Sequence, residues 1–443
     1  MVDTIIENDI AAATKRVRDR YAAANPNSKA AQEAARAVFP AGNTRAVLGY
    51  QPFPLTIANG VGAEVEDADG HTYVDCVGEY SAGLFGHSNP TIRSAIVKAL
   101  DAGIVLGGPN LYETSFAAAI CDRFPSIELV RFCNSGTEAN TLALLAARAF
   151  TNRKKILVFN DAYHGGFLAF KSGGGASNLP FDFVMADYND PATEGLMRKF
   201  APDLAAVIIE PIIGAGGNIC ATPEFMRMLR TTSHEIGAVL IFDEVKTSRN
   251  GPGGMQEWFG IIPDMTTLGK YIGGGLTTGA FGGRRDIMEI FDPAKAGTLV
   301  HSGTFNNNVC SMAAGVAAMT EVFTCDEAAR FFARGEAFRS ELNIMLAKRN
   351  VPLQFTGLGS IMAPHFTTTP ILGPKDVPKI DKVLMPLMHM EMLMRGVLVA
   401  ARGDIFLSLP MEKRHFDTVK EALMGFVDEH ENLIVRHIQQ SCP

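Results

Sequence analysis

Four short apolar runs, each followed by a polar residue, constrain the fold of this chain more than any other feature. Helix-like stretches separate them, and the runs are LVRFCN (129–134), KILVFN (155–160), AAVIIEP (205–211) and AVLIFDEV (238–245). Runs that are apolar on both faces are typical of buried parallel strands. Their alternation with helices predicts an open, doubly wound, mostly parallel α/β sheet. In such sheets ligands bind at the carboxyl ends of the strands.

The pattern changes twice along the 443 residues, which predicts a large domain and a smaller one. Residues 1–78 contain one or two amphipathic helices, broken at NPNS (25–28), and we assign them to the small domain. Residues 79–330 hold the alternating strands and helices and are expected to form the large, ligand-binding domain. Residues 331–443 add a long helix, a strand-like segment and a final helix, as in a small α+β domain.

Composition and charge exclude several classes of partner. The net charge is −7 and no block of lysine or arginine stands out, so we expect neither nucleic acid nor a membrane surface as a partner. The seven cysteines, at 76, 121, 133, 220, 310, 325 and 442, form no CxxC pair, which favours structural thiols over disulfides or a metal site. The N-terminal segment lacks the apolar core of a secretory signal. We therefore expect a cytoplasmic protein without a metal.

The acidic segment EVEDADGHTYVD (64–75) has two interpretations. A calcium loop would need a bidentate glutamate at the twelfth position counted from Asp67, and Gly78 stands there instead. Alternating residues around an Asp-Gly pair predict a β-hairpin. We predict the hairpin.

The first apolar run leads into small hydroxylated residues, Ser135-Gly136-Thr137, at the start of a strong helix. Such residues are good helix caps. The same arrangement also presents free N–H groups, two hydroxyls and the positive end of the helix dipole to an anion such as phosphate. Nucleotide-binding motifs do not fit elsewhere, because no GxGxxG follows a strand and the residue six before Lys270 is Asp264 rather than glycine.

Two further strand ends carry residues that can serve a ligand. Tyr163, in DAYHGG (161–166), is either a packing residue or a stacking surface for a heteroaromatic ring. Asp243 closes an apolar strand, where a carboxylate needs a partner to be buried. A salt bridge or a helix cap is the simpler role for Asp243, and the lack of a nearby histidine pair argues against a metal.

A single lysine, Lys270, lies in the glycine-rich segment TTLGKYIGGG (266–275). Glycine allows tight turns and close approach, and an amine becomes a nucleophile when its surroundings lower its pKa. A phosphate seat, a stacking ring, a buried carboxylate and such a lysine at one sheet edge together match pyridoxal 5′-phosphate (PLP). We expect PLP in the large domain, with Asp243 keeping its pyridine nitrogen protonated.

Several blocks in order make the chain resemble class III (ω) aminotransferases of PLP fold type I over almost its full length. Within that family it is similar to the branch of β-phenylalanine aminotransferases and glutamate-1-semialdehyde aminomutases. The blocks are GAEVEDADGHTYVD, AGLFGHSNPTI, RFCNSGTEAN, DAYHGG, VIIEP, LIFDEV, PDMTTLGKYIGGG and HSGTFNNN.

The resemblance implies roles for residues around the cofactor. Lys270 would form the Schiff base and carry the proton, and Asp243 would contact the pyridine nitrogen. The residues implied for the phosphate are Ser135, Gly136 and Thr137.

Three more residues take roles from the resemblance. Tyr163 would cover the ring, and Glu210 matches an acidic residue near the cofactor. Thr304 would reach the phosphate bound to the neighbouring subunit, which implies a homodimer with active sites at its interface.

Residues for the substrate follow from the same resemblance. Arg45 and Arg402 occupy segments that contribute to the substrate site in relatives, one for the carboxylate of a β-amino acid and the other for the 2-oxo acid. An arginine fork suits a carboxylate, and a surface ion pair is the alternative for either residue. Glu79 and Tyr80 are candidate pocket walls. Lys246, in DEVKTSRNGPGG, differs from the residues common in this segment of the family and leaves the substrate range open.

The expected function is a PLP-dependent aminotransferase that moves an amino group from a β-amino acid, or a related ω-amine donor, to a 2-oxo acid such as 2-oxoglutarate or pyruvate. An aminomutase resembling glutamate-1-semialdehyde 2,1-aminomutase, or an amino-acid racemase, uses the same chemistry and stays an alternative. A non-catalytic PLP-binding protein is a third possibility, which the presence of both Lys270 and Asp243 argues against.

Overall fold

The computed structural model describes residues 2–441, so the predicted free thiol of Cys442 lies outside the described residues. The helices are α1 (Val2–Ala24), α2 (Pro26–Ala35), α3 (Gly78–Ser81), α4 (Pro90–Asp101), α5 (Glu113–Arg123), α6 (Gly136–Thr151), α7 (Thr193–Lys199), α8 (Pro223–Ile236), α9 (Gly254–Phe259), α10 (Arg285–Met288), α11 (Val309–Ala317), α12 (Cys325–Lys348), α13 (Asp381–Met394) and α14 (Lys413–Ser441).

The strands form one large and three small sheets. They are β1 (Ile57–Val61), β2 (Glu64–Asp67), β3 (Thr72–Asp75), β4 (Leu129–Cys133), β5 (Lys155–Phe159), β6 (Asp182–Ala186), β7 (Leu204–Ile209), β8 (Ile212–Ile213), β9 (Ile219–Cys220), β10 (Val239–Asp243), β11 (Met265–Gly269), β12 (Gly279–Gly283), β13 (Gln354–Leu358), β14 (Ile361–His365), β15 (Val397–Leu398) and β16 (Ile405–Phe406).

The large sheet has seven strands in the order β4-β12-β11-β10-β7-β5-β6. Its neighbouring strands are parallel except β12, which runs antiparallel to both β4 and β11. Every residue of β7, β10 and β11 is buried, as strands covered by helices on both faces should be. The predicted doubly wound, mostly parallel sheet is therefore confirmed, and β4, β5, β7 and β10 are the four runs that the sequence indicates.

Three strands of the large sheet, β6, β11 and β12, were not among the predicted runs. β12 is GAFGG, and β11 is MTTLG, so neither shows the β-branched apolar signature of a buried strand. β12 follows β11 in the chain and pairs with it antiparallel, from Met265 opposite Gly283 to Gly269 opposite Gly279. The antiparallel return brings β4 beside β12 and closes this side of the sheet.

The remaining parts of the chain combine segments from both ends. The predicted hairpin is confirmed as β2 and β3, and β3 also pairs in parallel with β15. The strand-like segment 353–366 is two antiparallel strands, β13 and β14, joined to β16 in a three-stranded sheet. Helix α1 packs against α13 and α14. The domain boundaries at 78/79 and 330/331 stay predictions.

Among residues 2–441, no single helix is both long and apolar enough to cross a membrane. The segments Val309–Val322 and Cys325–Lys348 reach the required length and composition only when taken together, across a bend of 73°.

Candidate active site

Lys270 directly follows β11, at the carboxyl end of the central strands. The preceding residue, Gly269, has so little room that a Cβ there would lie 3.4 Å from the Cα of Gly136 and 3.2 Å from Cγ1 of Val245. The lysine itself has a positive φ of 55°, and its Nζ donates a hydrogen bond of 2.6 Å to the backbone carbonyl of Tyr80. The sequence-predicted lysine therefore lies against the start of α6.

Burial lowers the pKa of Lys270 to about 8, because a charged ammonium loses hydration there. The negative charge of Asp243 acts in the opposite direction, and the positive charge of Arg402 lowers the pKa further. A lysine in this condition is a nucleophile and a base close to neutral pH. The structure thus supplies the desolvation that the sequence-based mechanism requires.

Asp243 ends β10, next to β11, and its Cα pairs with that of Thr267, three residues before Lys270. The side chain is only 4% exposed. Its Oδ2 accepts hydrogen bonds from Nδ2 of Asn140 at 2.8 Å and Nδ1 of His164 at 2.7 Å, and its Oδ1 accepts one from the backbone N–H of Val245 at 3.1 Å. A buried carboxylate with three donors is held in one orientation.

Two residues without a predicted role, Asn140 and His164, complete this arrangement. Asn140 donates to the carbonyl of His164 as well as to Asp243, and its Oδ1 accepts a hydrogen bond of 2.5 Å from Thr267 Oγ1. His164 is 1% exposed, and its Nε2 has no hydrogen-bond partner among the described residues. His164 stands directly after Tyr163 in DAYHGG, and its place behind a strand end was the only sequence signal for it.

The amino end of α6 has the expected form of an anion seat. Ser135 caps the helix, and its Oγ accepts from the N–H of Glu138 at 3.2 Å. A Cβ on Gly136 would lie 2.6 Å from Val245 Cγ1, so this position requires glycine. Thr137 Oγ1 accepts from the N–H of Gly166 at 3.1 Å, which joins α6 to the loop that carries Tyr163.

Tyr163 and Glu210 lie at the same edge. The Tyr163 side chain is half exposed, and its backbone N–H donates to Glu210 Oε1 at 2.9 Å. Glu210 follows β7, and its Oε2 accepts from the N–H of Gly214 at 3.0 Å. Burial raises the pKa of Glu210, whereas the neighbouring His164 lowers it. The two residues that the resemblance placed near the ring are thus held together.

Lys246, the second lysine of the region, occupies a different position from Lys270. Its Nζ donates to Oδ1 of Asn218 and lies 5.2 Å from the centroid of the Phe406 ring. Burial lowers its pKa to about 7, against the charge of Asp404, which raises it. Gly269, the residue before Lys270, packs against Gly136 at the anion seat, and the choice of Lys270 as the cofactor lysine stays a prediction.

Arg45 and Glu79 form an ion pair at the exposed entrance of the site. We call this entrance, formed by Arg45, Glu79 and Arg402, the mouth. Nη2 of Arg45 donates to both carboxylate oxygens of Glu79, at 3.0 and 2.8 Å. The side chains are 45% and 63% exposed. Tyr80, the next residue, donates its hydroxyl to the carbonyl of Val47. The two residues predicted to bind substrate, Arg45 and Glu79, are therefore paired with each other in this structure.

Arg402, by contrast, stands beside a buried acid. Its Nε donates to Oδ2 of Asp404, whose side chain is 2% exposed, and Asp404 raises the pKa of the guanidinium. Its Cζ lies 5.7 Å from the centroid of the Tyr80 ring. Arg402 therefore lies on the same side of the site as Tyr80, whose carbonyl accepts from Lys270.

The segment α3, which contains Glu79 and Tyr80, has an unusual backbone conformation. Glu79, Tyr80 and Ser81 have φ angles of 50°, 56° and 79°, a left-handed conformation that costs roughly 1–2 kcal/mol for each residue other than glycine. Buried Arg249 holds it by donating from Nη1 to the carbonyl of Ser81 at 2.9 Å. Neither the turn nor Arg249 carried a sequence signal.

Thr304 is exposed in the segment between α10 and α11, and it makes no hydrogen bond with the described residues. Asn306 in the same segment accepts a hydrogen bond of 2.9 Å from Nδ2 of Asn134, the residue before Ser135. Its predicted role toward a neighbouring subunit stays a prediction.

These residues fit PLP. The amino end of the sixteen-residue α6 suits its phosphate, and Asp243 offers a fixed negative charge for the pyridine nitrogen. Lys270 supplies an amine with a lowered pKa. Nε2 of buried His164 has no hydrogen-bond partner among the described residues, so a polar group of a ligand could pair with it.

Comparison with known proteins gives the same result. The profile of the family described as aminotransferase class-III matches residues 46–411. The β-phenylalanine transaminase of Variovorax paradoxus is 46% identical over 437 residues, covering 98% of this chain and all of that protein. A glutamate-1-semialdehyde 2,1-aminomutase from Methanosarcina acetivorans is 37% identical over 359 residues, covering 77% and 84%.

The structural comparison confirms the fold. The crystal structure of the β-phenylalanine aminotransferase from Variovorax paradoxus superposes with a TM-score of 0.94 at 46% identity, covering 96% of this chain and 99% of that one. The predicted α/β fold of PLP fold type I and the expectation of an enzyme are both confirmed. The chain belongs to the class III aminotransferases, and PLP is its cofactor.

Proposed function

We propose that this enzyme transfers the amino group of a β-amino acid to a 2-oxo acid. The observation that carries the proposal is one site that combines Lys270 and Asp243 with two arginines at its mouth, Arg45 and Arg402. The relative that is 46% identical over 98% of this chain is a β-phenylalanine transaminase, which supports the same substrate class. Two arginines suit a cycle in which two different carboxylates bind in turn.

Lys270 and Asp243 perform the proton chemistry in this proposal. PLP supplies an aldehyde and an electron-accepting ring when it is bound. The Nζ of Lys270 would hold that aldehyde and, when free, would accept the proton from the amine-bearing carbon of the donor. Its pKa of about 8 makes the neutral amine available near physiological pH. Asp243 keeps a negative charge against the ring nitrogen, and Asn140 and His164 hold that carboxylate in place.

The remaining residues would bind and orient the cofactor and the substrates. The residues that would hold the phosphate are Ser135, Gly136 and Thr137 at the positive end of α6. Tyr163 would cover one face of the ring, and Glu210 fixes the backbone of Tyr163. Arg45 and Arg402 each take a carboxylate, and Glu79 and Tyr80 line the entrance between them.

The enzyme acts as a cytoplasmic homodimer in this proposal, with Thr304 contributing to the site of the other subunit. Support comes from exposed apolar side chains on two segments, 104–111 and 300–305, including Val105, Leu111 and Val300. Asn307, just beyond the second segment, contacts the first, since Asn110 Nδ2 donates to its carbonyl at 2.8 Å. An apolar surface of this kind is typical of a subunit interface. Analytical ultracentrifugation tests the dimer.

A panel of amino donors tests the reaction. With a β-amino acid and 2-oxoglutarate the enzyme should form glutamate, and with pyruvate it should form alanine. Both products are measured by chromatography, which also separates enantiomers of the residual donor. A racemase would change the handedness of a single donor without an acceptor, and an aminomutase would convert glutamate 1-semialdehyde. Either of these results, without glutamate or alanine, contradicts the proposal.

A further inference from the structure

Four polar residues, of which the middle two are buried, form a continuous chain from Lys246, shortly after β10, to Arg402 at the mouth of the site. Lys246 Nζ donates to Oδ1 of Asn218, and Nδ2 of Asn218 donates to Oδ1 of Asp404 at 2.7 Å. The other carboxylate oxygen of Asp404 accepts from Nε of Arg402. These residues come from three distant parts of the sequence, so only the tertiary structure joins them.

The chemistry at the two ends fixes the orientation of the amide in the middle. A carboxylate can only accept, and the amine of Lys246 can donate in either of its protonation states. Asn218 must therefore turn its oxygen toward Lys246 and its nitrogen toward Asp404, and the flipped amide would leave both contacts unmade. The second hydrogen of Nδ2 reaches the carbonyl of Met362 at 3.2 Å, which agrees with this orientation.

The backbone of Asn218 is also held. Its side chain is fully buried and its φ is 53°, a left-handed conformation. The preceding carbonyl, that of Gly217, accepts hydrogen bonds from Thr356 Oγ1 at 2.8 Å and from His365 Nε2 at 3.0 Å. Because its backbone is held, Asn218 can couple the position of Lys246 to that of Asp404 through its side-chain amide.

At the far end, Arg402 keeps its outer edge free. Only its Nε is used, by Asp404, and its two terminal nitrogens have no hydrogen-bond partner within residues 2–441. The side chain is 44% exposed and lies over the Tyr80 ring. Two parallel N–H groups on a guanidinium edge match the two oxygens of a carboxylate.

We propose that Lys246 is a positioning residue, which through Asn218 and Asp404 fixes the orientation in which Arg402 receives a substrate carboxylate. The inference rests on the proposed function and deepens it. It assigns a role to Lys246, which differs from the residues common in this segment of the family. Without the Lys246 amine, the oxygen of Asn218 loses its donor, the amide is held only through its nitrogen, and Asp404 and the guanidinium edge of Arg402 are less firmly directed.

The experiment uses the PLP-loaded enzyme and separates the carboxylate from the rest of the substrate. Lys246→Met keeps the stem of the side chain and removes its donor. Each half-reaction is followed by the absorbance of the cofactor, with 3-amino-3-phenylpropanoate and with 1-phenylethylamine, which lacks the carboxylate, as donors, and with 2-oxoglutarate for the return. Calorimetry measures binding of 3-phenylpropanoate and glutarate, which carry carboxylates but cannot react.

We expect Lys246→Met to weaken binding of one carboxylate probe about 10-fold, the order of a lost hydrogen bond to a charged group. The concentration for half-maximal rate with the corresponding substrate should rise similarly, with a limiting rate changed less than about twofold, and 1-phenylethylamine should react as with wild type. Asn218→Asp tolerates the same backbone and removes the donor to Asp404, so it should have the same effect. Lys348→Met, on the exposed surface of α12, is the control substitution.

A double-mutant cycle tests the connection to Arg402. If Lys246 acts only through Arg402, adding Lys246→Met to Arg402→Ala changes nothing further. Additive effects, unchanged carboxylate binding in both Lys246→Met and Asn218→Asp, or loss of the cofactor absorbance in Lys246→Met would each overturn the inference. A wild-type enzyme that binds PLP but transfers no amino group would refute the proposed function instead, so the two failures are distinguishable.

Discussion

The floor and the mouth of the site hold their charges in opposite ways. We define the floor as the residues at the strand ends: Asn140, His164, Asp243 and Lys270. Within it, the carboxylate of Asp243 is 4% exposed and accepts three hydrogen bonds. Losing one partner of a buried, charged cluster costs roughly 3–5 kcal/mol, because the remaining charge is left without compensation.

The mouth consists of Arg45, Glu79 and Arg402. Arg45 and Glu79 form an exposed pair, and such pairs contribute about 0–1 kcal/mol to stability. Arg402 is anchored through Nε, while the rest of its guanidinium faces outward. The difference teaches that the charges of the floor are fixed by buried partners, whereas those of the mouth are exposed and, in the proposed cycle, would exchange their partners for a substrate carboxylate in each half-reaction.

The largest effect should follow replacement of the covalent residue of the floor. Lys270→Ala should remove the visible absorbance of the lysine-bound cofactor and lower turnover by about 10⁴-fold or more, the order seen when a nucleophile is removed. Absorbance spectra and product formation measure both effects. Lys246→Met is the matched lysine control and should keep the absorbance band. A band that disappears from the control and persists in Lys270→Ala would exchange the roles of the two lysines.

The second prediction concerns the charge on the floor. Asp243→Asn keeps the shape and should lower kcat about 10²–10³-fold, the size of a lost electrostatic contact in a dry site. Steady-state kinetics measures the change. Glu244→Gln is the control, because this buried neighbour accepts from the backbone N–H groups of Met255 and Gln256 instead. It should lower thermal stability and leave kcat unchanged, and equal losses of kcat in both variants would show that burial rather than the position of Asp243 matters.

The third prediction uses pH. Only the neutral amine of Lys270 attacks an aldehyde, and burial lowers its pKa from the ordinary value near 10.5 to about 8. The neutral fraction therefore rises from about one tenth at pH 7 to about nine tenths at pH 9. Rapid mixing of apoenzyme with PLP should show a rate that rises about tenfold over this interval and then levels off. A rate that still rises tenfold for each pH unit at pH 9 would show an unshifted lysine.

The smallest effect is expected at the mouth. Glu79→Gln removes the charge that competes for Arg45, so the KM for a β-amino acid should fall about 2–5-fold, while the free energy of unfolding changes by less than about 0.5 kcal/mol. Steady-state kinetics and urea denaturation measure the two quantities. Glu79→Asp, which keeps the charge, is the control. A higher KM in Glu79→Gln would mean that Glu79 orients Arg45 rather than competing for it.

The floor was only partly predictable, because Asp243 and Lys270 were candidates from the sequence, whereas Asn140 and His164 had no predicted role. Asp243 and the start of α6 directly follow apolar runs, and strand ends of a parallel sheet meet at one edge. The strand before Lys270 was missed because β11 buries two threonines. Their hydroxyls are satisfied by partners elsewhere in the chain, Thr267 by Asn140 and Thr266 by Ser126 at 2.7 Å. No local pattern reveals that a polar residue will find such a partner.

The mouth was predictable only as a set of candidate arginines. The segment GEYS resembles an ordinary turn in the sequence, yet it forms the left-handed α3. Contacts from Arg249 and Lys270 hold it, and both are more than 150 positions away in the chain. A strained backbone of this kind persists only where the surrounding structure determines it.

The amino-acid sequence by itself determined the alternation of strands and helices, and it predicted Lys270 for the cofactor and Asp243 beside it. These depend on short-range patterns and on the rule that parallel strands end at one edge. The tertiary structure alone decided which charges are paired. Asp243 with His164, Arg45 with Glu79, and Lys246 with Asn218 meet only after distant segments pack, and burial then sets the pKa of each lysine. Desolvation and hydrogen bonding depend on three-dimensional neighbours, which no linear spacing encodes.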